Sequence, residues 1–291
     1  MNSISSIESI LFRNKVKQAT RRVLFYIFLG VILGIIIFPF YWLVVTSVKH
    51  EGQTQTYPPI FFPRKLTTAH YIHVFTKEGM GKNLFNSVTT ALSSTSLAVL
   101  IGSLAAYALS KTYLSENIRK AFLVAILLVR IFPPVVTTMP YFLIMSRIGL
   151  YDTLISLVIT YVAFSLPFVI WLMLGFFQEL PIDIEKAAIV DGCNVWQRFY
   201  RITLPLTLPG LATTLAFCFI YAWSEFLYAS ALTSQNAKTL PVVVGSFISD
   251  KFAQWGPMSA AGVLMVLPVL VFSAFVQKYL VRGLTFGAIK G

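Results

Sequence analysis

Few residues in this 291-residue sequence could do chemistry, and most of them stand alone. His70 and His73 are three apart, but no cysteine or acid accompanies them, so the pair lacks the ligand set of a metal site and is expected as solvated loop histidines. The string Gly79-Met80-Gly81-Lys82-Asn83 has neither the spacing nor the hydroxyl residue of a phosphate-binding loop, so no nucleotide should bind this chain by that device. Two cysteines, Cys193 and Cys218, cannot make a disulfide framework. Three candidates and one segment remain. Arg130 is a fixed cation inside a long apolar run, where it could hold an anionic or hydroxyl-rich solute or instead bind backbone carbonyls freed by Pro133-Pro134. Tyr161, Ser165 and Trp171 share another run and offer rings and hydroxyls to such a solute, although the same residues equally suit helix packing. Glu225 sits between Trp223 and Tyr228 and is expected as a wet carboxylate in an aromatic belt. The segment is Gln178–Pro205, the one polar stretch whose order of residues reads as a built object.

The elements that must hold these residues follow from composition. Hydrophobic residues make up 57% of the chain and charged residues 12%, about half the usual charged share of a soluble domain, so the apolar segments must face lipid. Spans of about 20 apolar residues are expected at 23–47, 84–109, 121–146, 153–177, 206–232 and 259–281. They must be helices, because backbone exposed to lipid has to satisfy its own hydrogen bonds. The fold class is therefore an all-α integral membrane protein with six transmembrane helices. The first span is too long for a signal core and lacks a processing site, so it is expected to stay in the membrane.

Lys and Arg place the ends. With both termini inside, the inner segments hold fourteen of them and the outer segments eight, with Arg130 within a span completing the 23. Residues 1–22 are then a cytoplasmic N-terminal segment, 178–205 a cytoplasmic loop between spans 4 and 5, and 282–291 a cytoplasmic tail. The net charge of +12 suits anionic lipid and this bias rather than nucleic acid. At 1.5 Å per residue from Ala121, Arg130 lies roughly 14 Å into its span, near the midplane, at an insertion cost of at least ~2.5 kcal/mol. Pro58, Pro59 and Pro63 make the first outer loop extended at its start, with a short surface helix over 67–75. Ser234–Pro257, carrying Phe247, Phe252 and Trp255, reads as chain lying along the membrane surface, or alternatively as a platform for an external partner.

Within the loop 178–205, Pro181 suits a first helical position, and Asp183 with Glu185 places acid near the helix N-terminus. Ala187-Ala188 thins the helix surface for close approach. Asp191-Gly192 signals a turn, and Asn194 with Gln197 matches a capping box that restarts a second helix. Two short helices joined by a tight bend are expected. The segment resembles the E-A-A-x3-G-x9-I-x-L-P loop of permease subunits of ATP-binding-cassette importers: Ala187-Ala188, three residues, Gly192, nine residues, then Ile202-Thr203-Leu204-Pro205. Lys186 stands where that pattern has glutamate, with Glu185 displaced by one. The chain end, Gly283-Leu284-Thr285-Phe286-Gly287-Ala288-Ile289-Lys290-Gly291, is similar to the G-L-T-x-G-x-x-K-G terminus of the carbohydrate-uptake branch, to which the maltose permeases belong.

The resemblance implies a membrane subunit, not itself an enzyme, of a carbohydrate importer in the bacterial or archaeal cytoplasmic membrane. It implies no cofactor in this chain, with ATP and Mg on partner subunits. Its partners would be a second permease subunit, two ATP-binding subunits, an external solute-binding protein and membrane lipid, with no nucleic acid. Glu185, Lys186, Ala187, Ala188, Asp191 and Gly192 would couple to the ATPase, with Gly287, Lys290 and Gly291 a second contact. Arg130, Tyr161, Ser165 and Trp171 would line the pathway. Uptake of glycerol phosphate or another small polar solute is the alternative within the class. A secondary carrier driven by an ion gradient is the alternative outside it, disfavoured because the spans lack the paired carboxylates of a proton relay.

Overall fold

The computed structural model describes residues 2–110, 115–248 and 253–286. They form two compact units, one of residues 1–71 with 255–263 and one of residues 72–254 with 264–291. Among the described residues the regular structure is helical, apart from an isolated antiparallel bridge between Ile248 and Ala253.

In the first unit, α1 (Asn2–Ser47) is one continuous helix, and its long side chains from Val23 to Phe40, the half-buried Ile32 apart, are exposed. Such a surface has no place in water and belongs in lipid or against another chain. The end of α1 is different. Lys49 is fully buried, with its ammonium 3.9 Å from the centre of the Trp42 ring, an arrangement in which the aromatic face substitutes for solvent. The Ser47 hydroxyl lies 2.9 Å from the Tyr71 phenol, and the Thr67 amide donates to the Val48 carbonyl. His70 is therefore not the solvated histidine expected. It stands on a helix, α2 (Ala69–Lys77), is buried, and its Nε2 donates to the Lys49 carbonyl at 2.8 Å. Its ring rests on Gly256, where a Cβ would come within 2.3 Å, so only glycine admits the imidazole. His73, one turn on, is half-buried.

The second unit is organised on α3 (Met80–Ser110) and α6 (Leu154–Gln178). They approach so closely that a Cβ on Gly102 would fall 2.5 Å from Val169. Ala98 and Ala106 on α3 interdigitate with Val169, Met173 and Phe177 on α6 in one apolar cluster that also takes in Cys218. Small residues let the backbones meet, which is how helices associate where lipid competes for apolar surface. Thr214 on α10 (Leu208–Ser224) donates its hydroxyl to the Met173 sulfur, seating α10 on α6.

Among the described residues four helices are long and apolar enough to cross a membrane, and up to six spans result if two bent pairs each count as one. The expected span 121–146 is broken into α4 (Glu116–Ile131) and α5 (Pro134–Arg147), bent by 93° at Phe132-Pro133. Pro133 and Pro134 cannot donate to the ladder and force the residue before them out of helical geometry. The expected span 206–232 is also discontinuous. A helical run Val195–Leu206 turns by 80° into α10, which itself stops at Ser224, and α11 (Leu227–Leu232) follows an extended Glu225. That run comprises α8 (Val195–Gln197), a π-helical stretch (Arg198–Thr203) and α9 (Leu204–Leu206), and it is preceded by α7 (Ile182–Val190). After α11 come α12 (Leu240–Ser246) and the 32-residue α13 (Trp255–Phe286).

The chain from Ser234 to Leu240 is pinned by hydrogen bonds to Asp152, Asn86 and Ser87. Asp152, at a positive φ of 57°, accepts from the backbone amides of Ser234, Gln235, Asn236 and Ala237. Asn86 donates to the carbonyls of Asn236 and Lys238, and Ser87 accepts from the Leu240 amide, so Ala237, Leu240 and Phe247 are buried. Phe252 lies outside the described residues.

Candidate functional site

The bent loop forms as its sequence dictates, with one difference of aim. Pro181 caps α7 rather than opening it, and Asp183 and Glu185 fall in the first turn. The helix ends at Asp191, whose amide returns to the Ala187 carbonyl, and Gly192 takes φ +79°, a left-handed conformation that costs other residues about 1 kcal/mol or more. Asn194 then restarts the chain with both halves of a capping box: its side chain accepts from the Gln197 amide and the Gln197 side chain accepts from the Asn194 amide, each at 2.9 Å.

The two limbs present different faces. Ala187, Asp191 and Gly192 are exposed, as is Lys186, whose ammonium is 3.6 Å from Asp183 in a solvated pair of little energetic worth. Ala188 instead is buried, so the Ala-Ala pair is thin towards both the outside and the rest of the chain. Glu185 turns inward as well. Its Oε1 accepts from the Tyr107 phenol at 3.2 Å and pairs with the Arg198 guanidinium at 3.4 Å. Arg198 and Tyr107 were not evident from sequence. The nearest signal is a basic side chain placed one turn into the second limb, opposite the acid in the first.

Beside the exposed polar residues stands a row of uncovered apolar ones. Val190 is 86% exposed and Trp196 67%, with Ile182, Ile189, Val195 and Tyr200 also exposed. Exposed apolar side chains gathered on so short a loop belong against another chain or against lipid. A cleft of about 380 Å³ lies behind α7, lined by Ser110, Arg119, Phe177, Glu185, Lys186 and Ile189 among others. Of the tail residues, Gly287, Lys290 and Gly291 lie outside the described residues.

The second set of candidates is only partly brought together. Arg130, in the last turn of α4 before the break, is exposed and lies over two rings of α6, 5.0 Å from the centre of Phe164 and 5.6 Å from Phe168. Phe164 in turn stacks on Tyr221 of α10, with centroids 4.9 Å apart and planes within 12°. Tyr228 edges against both Phe164 and Tyr141, and its phenol is 2.6 Å from the Thr137 hydroxyl. Rings from α5, α6, α10 and α11 thus form one connected cluster, on whose Phe164 the cation lies. Phe164 and Phe168, four apart, share a helix face by their spacing, but only the packing of α4 on α6 sets that face against Arg130. Ser165 is buried, and Trp171 is 58% exposed, apart from the cluster.

Tyr161 is fully buried and donates its phenol to Glu225 at 2.9 Å. Glu225 itself is buried, not wet: its oxygens accept from the amides of Tyr228 and Ala229 as well. The carboxyl group caps α11 at the break after Ser224, and its three hydrogen bonds offset the cost of burying it. Among the described residues no group of three or more His, Cys, Asp or Glu could hold a metal.

Comparison with known proteins bears on this arrangement as a whole. The family model for the binding-protein-dependent transport system inner membrane component matches residues 98–286, which includes the bent loop. The sulfoquinovosyl glycerol transport system permease protein SmoH of Agrobacterium fabrum is 36% identical over 256 residues, 88% of this chain and 89% of that protein. The trehalose transport system permease protein SugB of Mycobacterium tuberculosis is 34% identical over 263 residues, 89% and 94%. A chain in the crystal structure of a bacterial transporter importing the acidic polysaccharide alginate shares the fold, with a TM-score of 0.73 at 22% identity over 88% of this chain and 95% of that one.

Proposed function

The chain belongs to the family of binding-protein-dependent transport system inner membrane components, and on that premise we propose that it is a permease subunit of an ATP-driven carbohydrate importer. Two relatives with a third of their residues in common with it are named for glycosides, trehalose and sulfoquinovosyl glycerol, which supports a sugar as solute. In this reading the chain makes half of the pathway beside a second permease subunit, with both termini inside. Two separate subunits hydrolyse ATP, and an external binding protein delivers the solute.

The observation that carries the reading is the bent loop. A capped second limb, a left-handed Gly192 and an uncovered ridge at Val190 and Trp196 make a knob with a dry face, held up by the rest of the chain. Such a face suits a groove in an ATPase subunit. Lys186, Ala187, Asp191 and Gly192 lie around it and would sit at that contact, with Gly287, Lys290 and Gly291 a second one. Docking alone couples nothing; the contacts must differ between the inward-facing and outward-facing states for ATP to drive the switch.

Arg130 is the residue best placed to meet solute. One face of its guanidinium lies on Phe164 and Phe168, which leaves hydrogen-bond donors for a carboxylate, sulfonate or hydroxyl pair on a sugar. The α4–α5 break beside it is tolerable in lipid only where chain lines a cavity or packs on protein.

Co-purification of the assembled transporter tests the docking. Val190→Glu puts a charge on the dry ridge and is expected to lower the ATPase recovered with this chain about tenfold while leaving membrane insertion intact. Normal recovery would remove the loop from the contact. Uptake of a radiolabelled panel (trehalose, maltose, a uronate trisaccharide and glycerol 3-phosphate) into proteoliposomes then assigns the solute class, and transport of glycerol phosphate alone would replace the carbohydrate reading.

A further inference from the structure

The inward turn of Glu185 gives the loop a mechanical property that docking does not require. The bend at Gly192 is closed by two backbone bonds, from the Gly192 amide to the Ile189 carbonyl and from the Cys193 amide to the Ala188 carbonyl; these reach no further than Cys193 and leave a hinge beyond it. A force applied to Val190 or Trp196 could be absorbed there. Glu185 on α7 and Arg198, just after α8, lie on opposite sides of that hinge, and the guanidinium reaches the carboxylate at 3.4 Å. Both side chains are largely buried, at 14% and 7% exposure, whereas the Lys186–Asp183 pair on the outer face is solvated. The same carboxylate oxygen takes the Tyr107 phenol, so the joint extends to α3. The Tyr107 ring is held by Phe177 of α6 at 5.9 Å and by Phe199 at 5.0 Å, which leaves the phenol little freedom to turn away.

We propose that Glu185, through Arg198 and Tyr107, is a positioning residue that locks the two limbs of the bent loop into one lever and joins that lever to α3. The proposal rests on the loop being the ATPase contact. A buried ion pair contributes modestly to net stability but strongly penalises geometries that separate its members. Here the geometry so fixed is the angle of the bend. With the pair intact, movement of the ridge carries α7, the Arg198 limb and α3 together. Without it the ridge follows the ATPase while the spans lag behind.

The test uses the complete transporter in proteoliposomes with its external binding protein and the labelled sugar selected from the panel above. Three quantities are read: ATPase subunit recovered, ATP hydrolysed, and sugar moved per ATP. Glu185→Gln and Arg198→Gln are expected to keep the ATPase bound and hydrolysing, while sugar moved per ATP falls about tenfold. The exchanged pair Glu185→Arg with Arg198→Glu should recover at least part of that loss, which a merely structural role for either residue would not produce. Tyr107→Phe removes one oxygen and is expected to lower the ratio about threefold; it decides the matter should the charge variants fail to reach the membrane. An unchanged ratio in Glu185→Gln, or in Tyr107→Phe where it stands alone, overturns the proposal. Loss of the ATPase from Glu185→Gln also overturns it, by making the carboxylate a direct docking contact. If Val190→Glu kept its ATPase, the docking reading itself would fall instead, so the two failures are told apart.

Discussion

At the scale of single residues, carboxylates do the most work in this chain. Asp152 shows how. Burial pushes its pKa upward, but the four amides of residues 234–237 outweigh that and hold the carboxyl down at about 2, against an ordinary 3.8. A carboxyl depressed on folding stabilises the protein above its unfolded pKa and ceases to as the pH falls through its folded value. The contribution of Asp152 is therefore complete above about pH 4 and fades between pH 4 and pH 2. Asp152→Asn cannot accept from all these donors and is expected to lower stability by about 1 kcal/mol at pH 7, screened because the site is wet at its edge. Thermal unfolding in detergent should show wild type and variant converging towards pH 2. Nothing in the sequence marked Asp152, because its donors come from some eighty residues further along.

At the scale of elements, local rules were legible where local bonds decide the outcome. The Asn194–Gln197 box, the turn at Gly192 and the break at Pro133-Pro134 all read directly from neighbouring residues. The break after Ser224 did not, because its cause is partly distant. Glu225 leaves the helix to cap α11 while Tyr161, from another helix, secures its other side. Apolar composition alone reads the same stretch as one unbroken span. Glu225→Ala would leave two amides and a phenol without their acceptor, at a cost of about 2–4 kcal/mol, and should raise amide hydrogen exchange at residues 227–232 specifically. Gly192→Pro demands a negative φ where the chain has +79°, so it should abolish uptake while the chain still inserts in the membrane. Normal uptake by that variant would detach the bend from transport.

At the scale of the molecule, the all-helical membrane class followed from composition, since so little charge cannot clothe a soluble globule. What composition could not supply was the neighbourhood of Arg130. A lone basic residue in an apolar run says that something must receive it, but Phe164, Phe168 and Tyr221 are known only once α6 and α10 are set beside α4. If this cluster meets solute, Arg130→Lys keeps the charge but loses the planar fork, and uptake of the sugar should fall about tenfold, with Arg130→Ala falling further. Equal uptake in wild type and both variants would return Arg130 to a packing role.

The bare ridge of Val190 and Trp196 has a cost for the cell that makes it. If that ridge is the docking face proposed above, a copy of this chain that outnumbers its partners shows an oily knob to every protease and chaperone within reach. Such surplus copies should be short-lived, and pulse-chase labelling should find them cleared within minutes unless the companion subunit is synthesised alongside. The protein's abundance would then be set by assembly, not by its own rate of translation.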